Sequence, residues 1–600
     1  METVSLTIDG HPVTVEKGTT VLRAAIESGI PVPYYCFHPG LTVDGSCRVC
    51  IVKVEKMPKL QTSCSTVCTE GMVVTTRDPE TIAARAGVLE FLLVNHPLDC
   101  PVCDKGGECP LQDFAYTFGP AESRMDFPRR VFDGDGVKAD VDFGPTLMLN
   151  RNRCILCTRC VRFMREIDGD AQIGVVDRGN GSEIATFQEE GVHSLLSGNL
   201  MDVCPVGAIT TKEYRFKSRP WDNPGVVDTI CTRCSKGCNT SAWLKAKPEW
   251  AKGSHLIRMT PRRNADINDY WMCDLGRFDY HWVEGSSRLR RPMLSVGATL
   301  EPVAWHDVES RLRDTLQAVA STDSTLVHFL VSAHAATEEL FVLREIVDRV
   351  FGERGVSAVT VTWASSEKKQ SAGATFTVPV TDAPNINGAR DVGFAVGQGN
   401  GHQADLSALR TAVESGRVRA LYVLDPGPDG SIGETSWIVK ARRRGTLPLL
   451  IVQGVVMSEL VAAADIVLPG AAWAEKDAIY TNDQGRVQGA SRAIAPPGEA
   501  LEDWQILVTL GRLLGLSLPY RTSAEVRRAI ATALPAAYAG ADQVAFTRPV
   551  PARNWLQASN PSERWKWDFL YQDLPPVKGH NVQMEGTSSG PSYIPLKPVD

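Results

Sequence analysis

All sixteen cysteines of this 600-residue chain lie between Cys36 and Cys273, and the 327 residues that follow hold none. Sulfur chemistry can therefore organise the first half, whereas the second must stand on buried apolar surface alone. Disulfides are the simplest use of many cysteines, but pairs two residues apart do not easily close unstrained bridges, and a reducing compartment opposes them. That compartment is the expected one. No apolar run reaches 18 residues, and METVSLTIDG lacks the basic and then apolar order of a signal peptide, so the chain reads as cytoplasmic and non-spanning. With 63 basic against 70 acidic residues it has no electrostatic footprint for nucleic acid. Its 43% hydrophobic and 22% charged residues are ordinary for a soluble protein, and the length suggests about four domains.

The first thirty residues predict a small ββα sheet domain. Val4, Leu6 and Ile8 alternate, Asp9-Gly10 turns the chain, and Val13 and Val15 alternate again. Thr19 or Thr20 is placed to cap a helix through Val21, Leu22, Ala25 and Ile26, which Gly29 stops. Next come Cys36, ten residues, Cys47, two, Cys50, thirteen, and Cys64. Four thiolates are what a 2Fe-2S cluster needs, and the loop from Asp44 to Cys50 can bend around one, with Gly45 and the loop amides donating to sulfur. Structural zinc usually takes two short-spaced pairs, and Cys36 and Cys64 stand alone. Cys68 is left over and reads as a small buried hydrophobe.

Helical periodicity from Ile82 to Val94 stops before Pro97 and delivers His96, three residues, Cys100, two, Cys103, five, and Cys109. A histidine at a helix end is usually a capping or core residue. Here it stands beside three cysteines that lack a fourth, and a 4Fe-4S cluster on His96, Cys100, Cys103 and Cys109 is the favoured reading. Neutral imidazole in place of a thiolate leaves a cluster less negative and favours its reduced form.

The third set is Cys154, Cys157 and Cys160, completed after 43 residues by Cys204-Pro205. The bacterial ferredoxin run also ends in a cysteine before proline. A two-cluster ferredoxin would carry a cysteine just after the triplet, where Arg162, Phe163, Met164 and Arg165 stand, so one 4Fe-4S cluster is expected. Arg151, Arg153, Arg159, Arg162 and Arg165 crowd this set. They would stabilise a reduced cluster, or equally well form a solvated or partner-facing basic surface. The fourth set, Cys231, Cys234, Cys238 and, after 34 residues, Cys273, fits another 4Fe-4S cluster, with zinc as a real competitor.

In this order the four sets resemble the largest iron-sulfur subunit of NADH:quinone oxidoreductase, bacterial respiratory complex I. Beyond Cys273 the segments Arg288 to Met293, Ala304-Trp305, Ala464 to Pro469, Glu475-Lys-Asp477, Asn482 and Gly485 to Gln488 are similar to the molybdopterin-oxidoreductase fold. The resemblance covers residues 1 to about 515 and implies a multidomain α/β protein. Residues 1–80 would form a β-grasp ferredoxin-like 2Fe-2S domain, 81–120 the segment of one histidine and three cysteines, 121–220 a ferredoxin-like 4Fe-4S domain and 221–285 the four-cysteine 4Fe-4S domain. Residues 286–540 would be a shortened molybdopterin-oxidoreductase-like α/β domain without an active site, and 541–600 an irregular C-terminal arm. Apolar runs at 325–331 and 447–453 with a helical pattern at 335–350 agree with α/β layers.

The family implies single-electron relay on the cytoplasmic side of the inner membrane, with no substrate bound on this chain. Electrons would enter from a flavoprotein subunit carrying FMN and an iron-sulfur cluster. They would reach the 2Fe-2S centre, then the Cys154 set, then the His96 set, and leave toward a two-cluster ferredoxin-like subunit, with other peripheral-arm subunits alongside. The Cys231 set would lie off this line. The main alternative is a formate dehydrogenase-like molybdopterin enzyme, but no cysteine follows Cys273 to bind molybdenum, and Leu275 stands where those enzymes carry a lysine between cluster and pterin. No molybdopterin is expected. Iron-only hydrogenases need further downstream cysteines, and small diaphorase subunits end near the third set. Gly397-Gln-Gly399-Asn-Gly401 approaches a dinucleotide pattern but continues with His402 and reads as a surface loop.

Overall fold

Alternation in the first sixteen residues becomes a hairpin of Thr3–Ile8 and His11–Glu16 in the computed structural model. The structure describes residues 2–132, 139–223, 225–245, 254–297, 299–322, 326–352, 355–396 and 405–549. Asp9 and Gly10 both take positive φ, +49° and +81°, as a two-residue hairpin turn matched to strand twist requires. Thr20 sits at the N-cap of helix Val21–Glu27, but its hydroxyl makes no capping bond. The helix is held instead by burial of Val21, Leu22, Ala24, Ala25 and Ile26. Three further strands complete a five-stranded sheet in the order His11–Glu16, Thr3–Ile8, Val73–Thr75, Ile51–Val54, Gln61–Thr62.

Helix Pro79–Leu93, capped by the Asp78 carboxylate on the amides of Glu80 and Thr81, carries the chain to the His96 segment. A second sheet of Asp140–Asp142, Leu147–Asn150 and Ile209–Thr211 brackets the third cysteine set, and a third sheet, Gly225–Ile230, Asn239–Leu244 and Leu256–Pro261, carries the fourth. One apolar core runs from Leu6 and Ile8 through Leu89, Phe114, Phe163 and Leu200 to Trp271. Cysteines of all four sets border it, the exceptions being the exposed Cys100 and buried Cys103 of the second and the buried Cys234 of the fourth.

The second half is built on a seven-stranded sheet in the order Thr299–Pro302, Met293–Val296, Ile466–Pro469, Leu449–Gly454, Ala420–Asp425, Val327–Ser332, Val359–Thr362. The last five run parallel and are buried almost throughout, because helices cover both faces and leave no polar side to alternate with. Strands Val327–Ser332 and Leu449–Gly454 and helix Thr337–Phe351 match the expected elements within three residues. Among the described residues no helix is long and apolar enough to cross a membrane. The Gly397–His402 loop and most of the 541–600 arm lie outside the described residues.

Candidate metal centres

Cys36 follows the buried Tyr34 and Tyr35, and its thiol meets those of Cys47 and Cys64, while Cys64 also meets Cys50. The Asp44–Cys50 loop closes on Cys36 because Gly45 and Arg48 both adopt left-handed backbone, φ +73° and +58°. The loop also brings the Gly45 amide to the Cys36 sulfur. Thiol donation from Cys47 and Cys64 holds Cys36 far below the usual thiol range, and donation from Cys64 brings Cys50 to about 7. Four sulfurs share charge in one loop-lined hollow, which is the donor set a 2Fe-2S cluster takes. Cys68 stands apart: burial pushes its thiol up to about 11, and its amide donates to the Thr19 carbonyl at 2.9 Å. Cys68→Ser is expected to leave the visible absorption and EPR signal of the 2Fe-2S centre unchanged. Loss of that signal would make Cys68 a ligand.

His96 is placed one turn beyond the Pro79–Leu93 helix by its amide bond to the Leu93 carbonyl, 3.2 Å. Its Nδ1 is buried without a hydrogen-bond partner. Burial first, and then the nearby Arg153 guanidinium, lowers the imidazole to about 4, so the ring is neutral at pH 7, the form that binds metal. Cys103 lies within electrostatic reach of Cys100, and Cys109 within reach of Cys103. Gly207 presses on this set so closely that a Cβ there would lie 2.0 Å from the Cys103 sulfur, and the Cys109 thiol faces the Pro205 carbonyl at 3.8 Å.

In the third set Leu156 and Thr158 take left-handed backbone, φ +51° and +58°, and the Leu156 amide donates to the Cys154 sulfur at 3.4 Å. Such conformations cost about 1 kcal/mol or more each for non-glycine residues and persist only where the surroundings enforce them. Cys160 sits in the first turn of helix Arg159–Phe163, and Cys204 enters from the end of helix Asn199–Val203. The fourth set is a hairpin end: the Cys231 amide donates to the Cys238 carbonyl at 2.8 Å, Gly237 turns at φ +64°, and Cys273 precedes helix Asp274–Phe278. Here Gly276 leaves room for the Cys231 sulfur, which a Cβ would approach to 2.7 Å.

Burial drives Cys109, Cys154 and Cys231 up to about 12 and Cys157 to about 11. Buried thiols of this kind ionise only beside strong positive charge, which bound iron supplies. All sixteen cysteines are free of disulfides. Among the described residues no three His, Cys, Asp or Glu side chains close on one point as a single ion would require.

The arginines divide. Arg165 is exposed and pairs with Glu166 at 3.3 Å, and Arg153 is buried against Asp99 at 3.0 Å. Arg159 and Arg162, 3% and 4% exposed, turn inward. Arg162 donates to the carbonyls of Cys36, Thr42 and Cys157, and Arg159 to those of Phe37 and Val203. The later motifs hold the fourth loop: Asn482 donates to the Lys236 carbonyl at 3.1 Å and Gln488 to that of Gly237 at 3.0 Å. Glu475 pairs with the fully buried Arg288 at 2.6 Å. Sequence reading missed Gly207, Gly276 and Trp271, which packs on His38 at 5.3 Å between rings. No local pattern marks a glycine whose neighbour lies 104 residues away.

Residues 1–79 match a 2Fe-2S iron-sulfur cluster binding domain, and 85–124 match the NADH-ubiquinone oxidoreductase-G iron-sulfur binding region. Residues 144–210 match the NADH-quinone oxidoreductase subunit 3 ferredoxin-like domain, and 366–513 the molybdopterin oxidoreductase family. The chain is 30% identical over 628 residues to the NADH-quinone oxidoreductase G-subunit of Rickettsia bellii, covering 89% of each protein. It is 29% identical to the mitochondrial NADH-ubiquinone oxidoreductase 78 kDa subunit of Neurospora crassa, over 89% of this chain and 84% of that one. It is also 29% identical to the mitochondrial NADH dehydrogenase [ubiquinone] iron-sulfur protein 1 of Solanum tuberosum, over 89% and 83%.

Proposed function

We infer the roles of individual residues from one premise: the chain belongs to the family of the NADH-quinone oxidoreductase G-subunit and the mitochondrial 78 kDa subunits. It is an iron-sulfur electron-transfer subunit of an oxidoreductase complex, with 2Fe-2S and 4Fe-4S binding regions followed by a molybdopterin-oxidoreductase-type fold. We propose as ligands Cys36, Cys47, Cys50 and Cys64 for the 2Fe-2S cluster. For the three 4Fe-4S clusters we propose His96, Cys100, Cys103 and Cys109; Cys154, Cys157, Cys160 and Cys204; and Cys231, Cys234, Cys238 and Cys273. Such clusters supply one-electron redox chemistry.

The observation that carries this reading is that three sets are joined by direct polypeptide contacts. Arg162 spans the Cys36 and Cys157 carbonyls, and the Cys204–Gly207 segment belongs to the third set at one end and touches Cys103 of the second at the other. These contacts support a third set that neighbours both the first and the second, as the relay order requires. The fourth set is clamped by Asn482 and Gln488 of the α/β half, which serves as scaffold. We assign as partners a flavoprotein subunit that supplies the electrons and a two-cluster ferredoxin-like subunit that accepts them, in a membrane-bound complex with this chain on its cytoplasmic side.

Metal analysis with low-temperature EPR of the purified complex tests the assignment. This chain is expected to add about 14 iron, from one 2Fe and three 4Fe clusters, to the iron its cluster-bearing partners hold, without stoichiometric molybdenum. About four iron fewer, with one zinc in their place, would reassign the fourth set to zinc. One molybdenum per chain would overturn the scaffold role.

A further inference from the structure

Two cations are buried in the seam between the first and third cysteine sets, and every described hydrogen-bond partner they have is a neutral oxygen. Arg162 bonds the carbonyls of Cys36, Thr42 and Cys157, the last at 3.4 Å, and its Nε reaches the Thr158 hydroxyl at 3.3 Å. Arg159 bonds the carbonyls of Phe37 and, at 3.3 Å, Val203, while its Nε is buried without a partner. It also lies over the Tyr34 ring at 5.8 Å. Neither has a carboxylate partner among the described residues. The closest acid in sequence, Glu166, lies within electrostatic reach of Arg162 but makes no hydrogen bond to it, being engaged by the Thr42 amide at 2.8 Å, the Thr42 hydroxyl at 2.6 Å and Arg165.

A buried guanidinium without an anion is costly, because carbonyl dipoles replace only part of its hydration. The carbonyls chosen are informative. Cys36 and Cys157 belong to two different sets, and Phe37 and Val203 directly follow and precede the members Cys36 and Cys204. Both guanidiniums are thus held between two groups that are anionic when loaded and gain a further negative charge on reduction.

On the ligand sets proposed above, we propose that Arg159 and Arg162 are shared positioning residues: they lock the 2Fe-2S site to the Cys154 site, and their charges raise the midpoint potentials of both centres together. Each cation lowers the energy of an added electron on either side, so the two potentials move as a pair, and the carbonyl bonds keep the separation of the sites fixed.

The test is EPR-monitored redox titration of the assembled complex carrying Arg162→Gln, Arg162→Lys, Arg159→Gln or Arg159→Lys. Each glutamine variant is expected to lower the reduced-to-oxidised ratio of both centres at least tenfold at a fixed potential, about 59 mV for a one-electron couple. The lysine variants are expected to restore most of that shift, and the fourth set, which neither arginine touches, serves as an unmoved reference. Unmoved midpoints, a shift at only one centre, or a lysine variant shifted as far as its glutamine counterpart would overturn the proposal. Failure of glutamine variants to assemble where lysine variants do supports a requirement for charge. Failure of all four would show that shape is what matters and overturns it. Signals present but unshifted defeat this inference alone, whereas missing signals in the unmodified complex defeat the ligand assignment beneath it.

Discussion

Lys476→Met is expected to destabilise the α/β half by about 3–5 kcal/mol, the cost of stranding buried charge. Lys476 is 1% exposed and its ammonium joins the carboxylates of Glu339 and, at 2.9 Å, Asp503. Those carboxylates hold structure in place: Glu339 accepts the Ala336 amide at the start of helix Thr337–Phe351, and Asp503 accepts Gln453 at 2.9 Å and the Ala471 amide at 3.2 Å. Methionine fills the lysine stem's volume but leaves two acids facing each other in a dry interior. Thermal unfolding followed by circular dichroism should show a drop on the order of 10 °C.

The loss should also depend on pH, with a sign that can be worked out. Burial holds the Glu339 carboxyl above its ordinary range while Lys476 pulls it down, so removing the lysine lets it rise further. A carboxyl whose folded pKa exceeds its unfolded value binds the proton more tightly when folded. Its protonation stabilises the fold at low pH, and that contribution fades as pH rises through the folded pKa. With Glu339 already held at about 8 in the unmodified protein, the variant's deficit should therefore be smaller at pH 6 than at pH 9. Adding Glu339→Gln and Asp503→Asn to Lys476→Met should recover most of the loss. A deficit below about 1 kcal/mol, or one that grows as pH falls, would show that the two acids are not stranded.

Gly207→Ala should remove the second set's EPR signal while the 2Fe-2S signal survives. The new Cβ would lie 2.0 Å from the Cys103 sulfur and 3.2 Å from the Lys105 Cβ, so Cys103 must move or the 204–207 segment must back away. Metal sites tolerate displacements of only a few tenths of an ångström in their donors. Electron flow from NADH to quinone through the complex should fall more than tenfold, equivalent to about 1.4 kcal/mol of barrier. Gly45→Ala separates this contact from ordinary glycine strain: the space around Gly45 is open, and its left-handed φ of +73° costs alanine only about 1–2 kcal/mol. An intact second signal in Gly207→Ala would mean that Cys103 relaxes freely and is not held against that segment.

The N-terminal hairpin was legible because alternation and an Asp-Gly turn are local, and the structure places both where the pattern does. The capping role of Thr20 was not, since the helix is held by its apolar face and the hydroxyl stays unbonded. Arg153, Arg159, Arg162 and Arg165 look alike in sequence, yet the first three are buried and Arg165 is exposed: Arg159 and Arg162 lie on helix Arg159–Phe163 and turn into the seam, whereas Arg153 precedes that helix and Arg165 follows it, each among its own neighbours. Arg288, Glu475, Lys476 and Asn482 stand out in the sequence only through family resemblance, while the pairing of Arg288 with Glu475 and the partners Glu339 and the Lys236 carbonyl are visible only in space.

What the sequence determined by itself is therefore the inventory: the donor groups, their grouping into four sets by short covalent spacings, and the split between a cysteine-bearing half and an α/β half held by apolar strands. A chain of two or three residues between donors limits their separation whatever the rest of the fold does. Only tertiary structure decided which sets are neighbours, which arginines lose their water, and which glycines lie against sulfur. Those outcomes depend on segments such as 36–42 against 157–162, or 103 against 207, whose meeting no local spacing requires and only the packing of the shared core brings about.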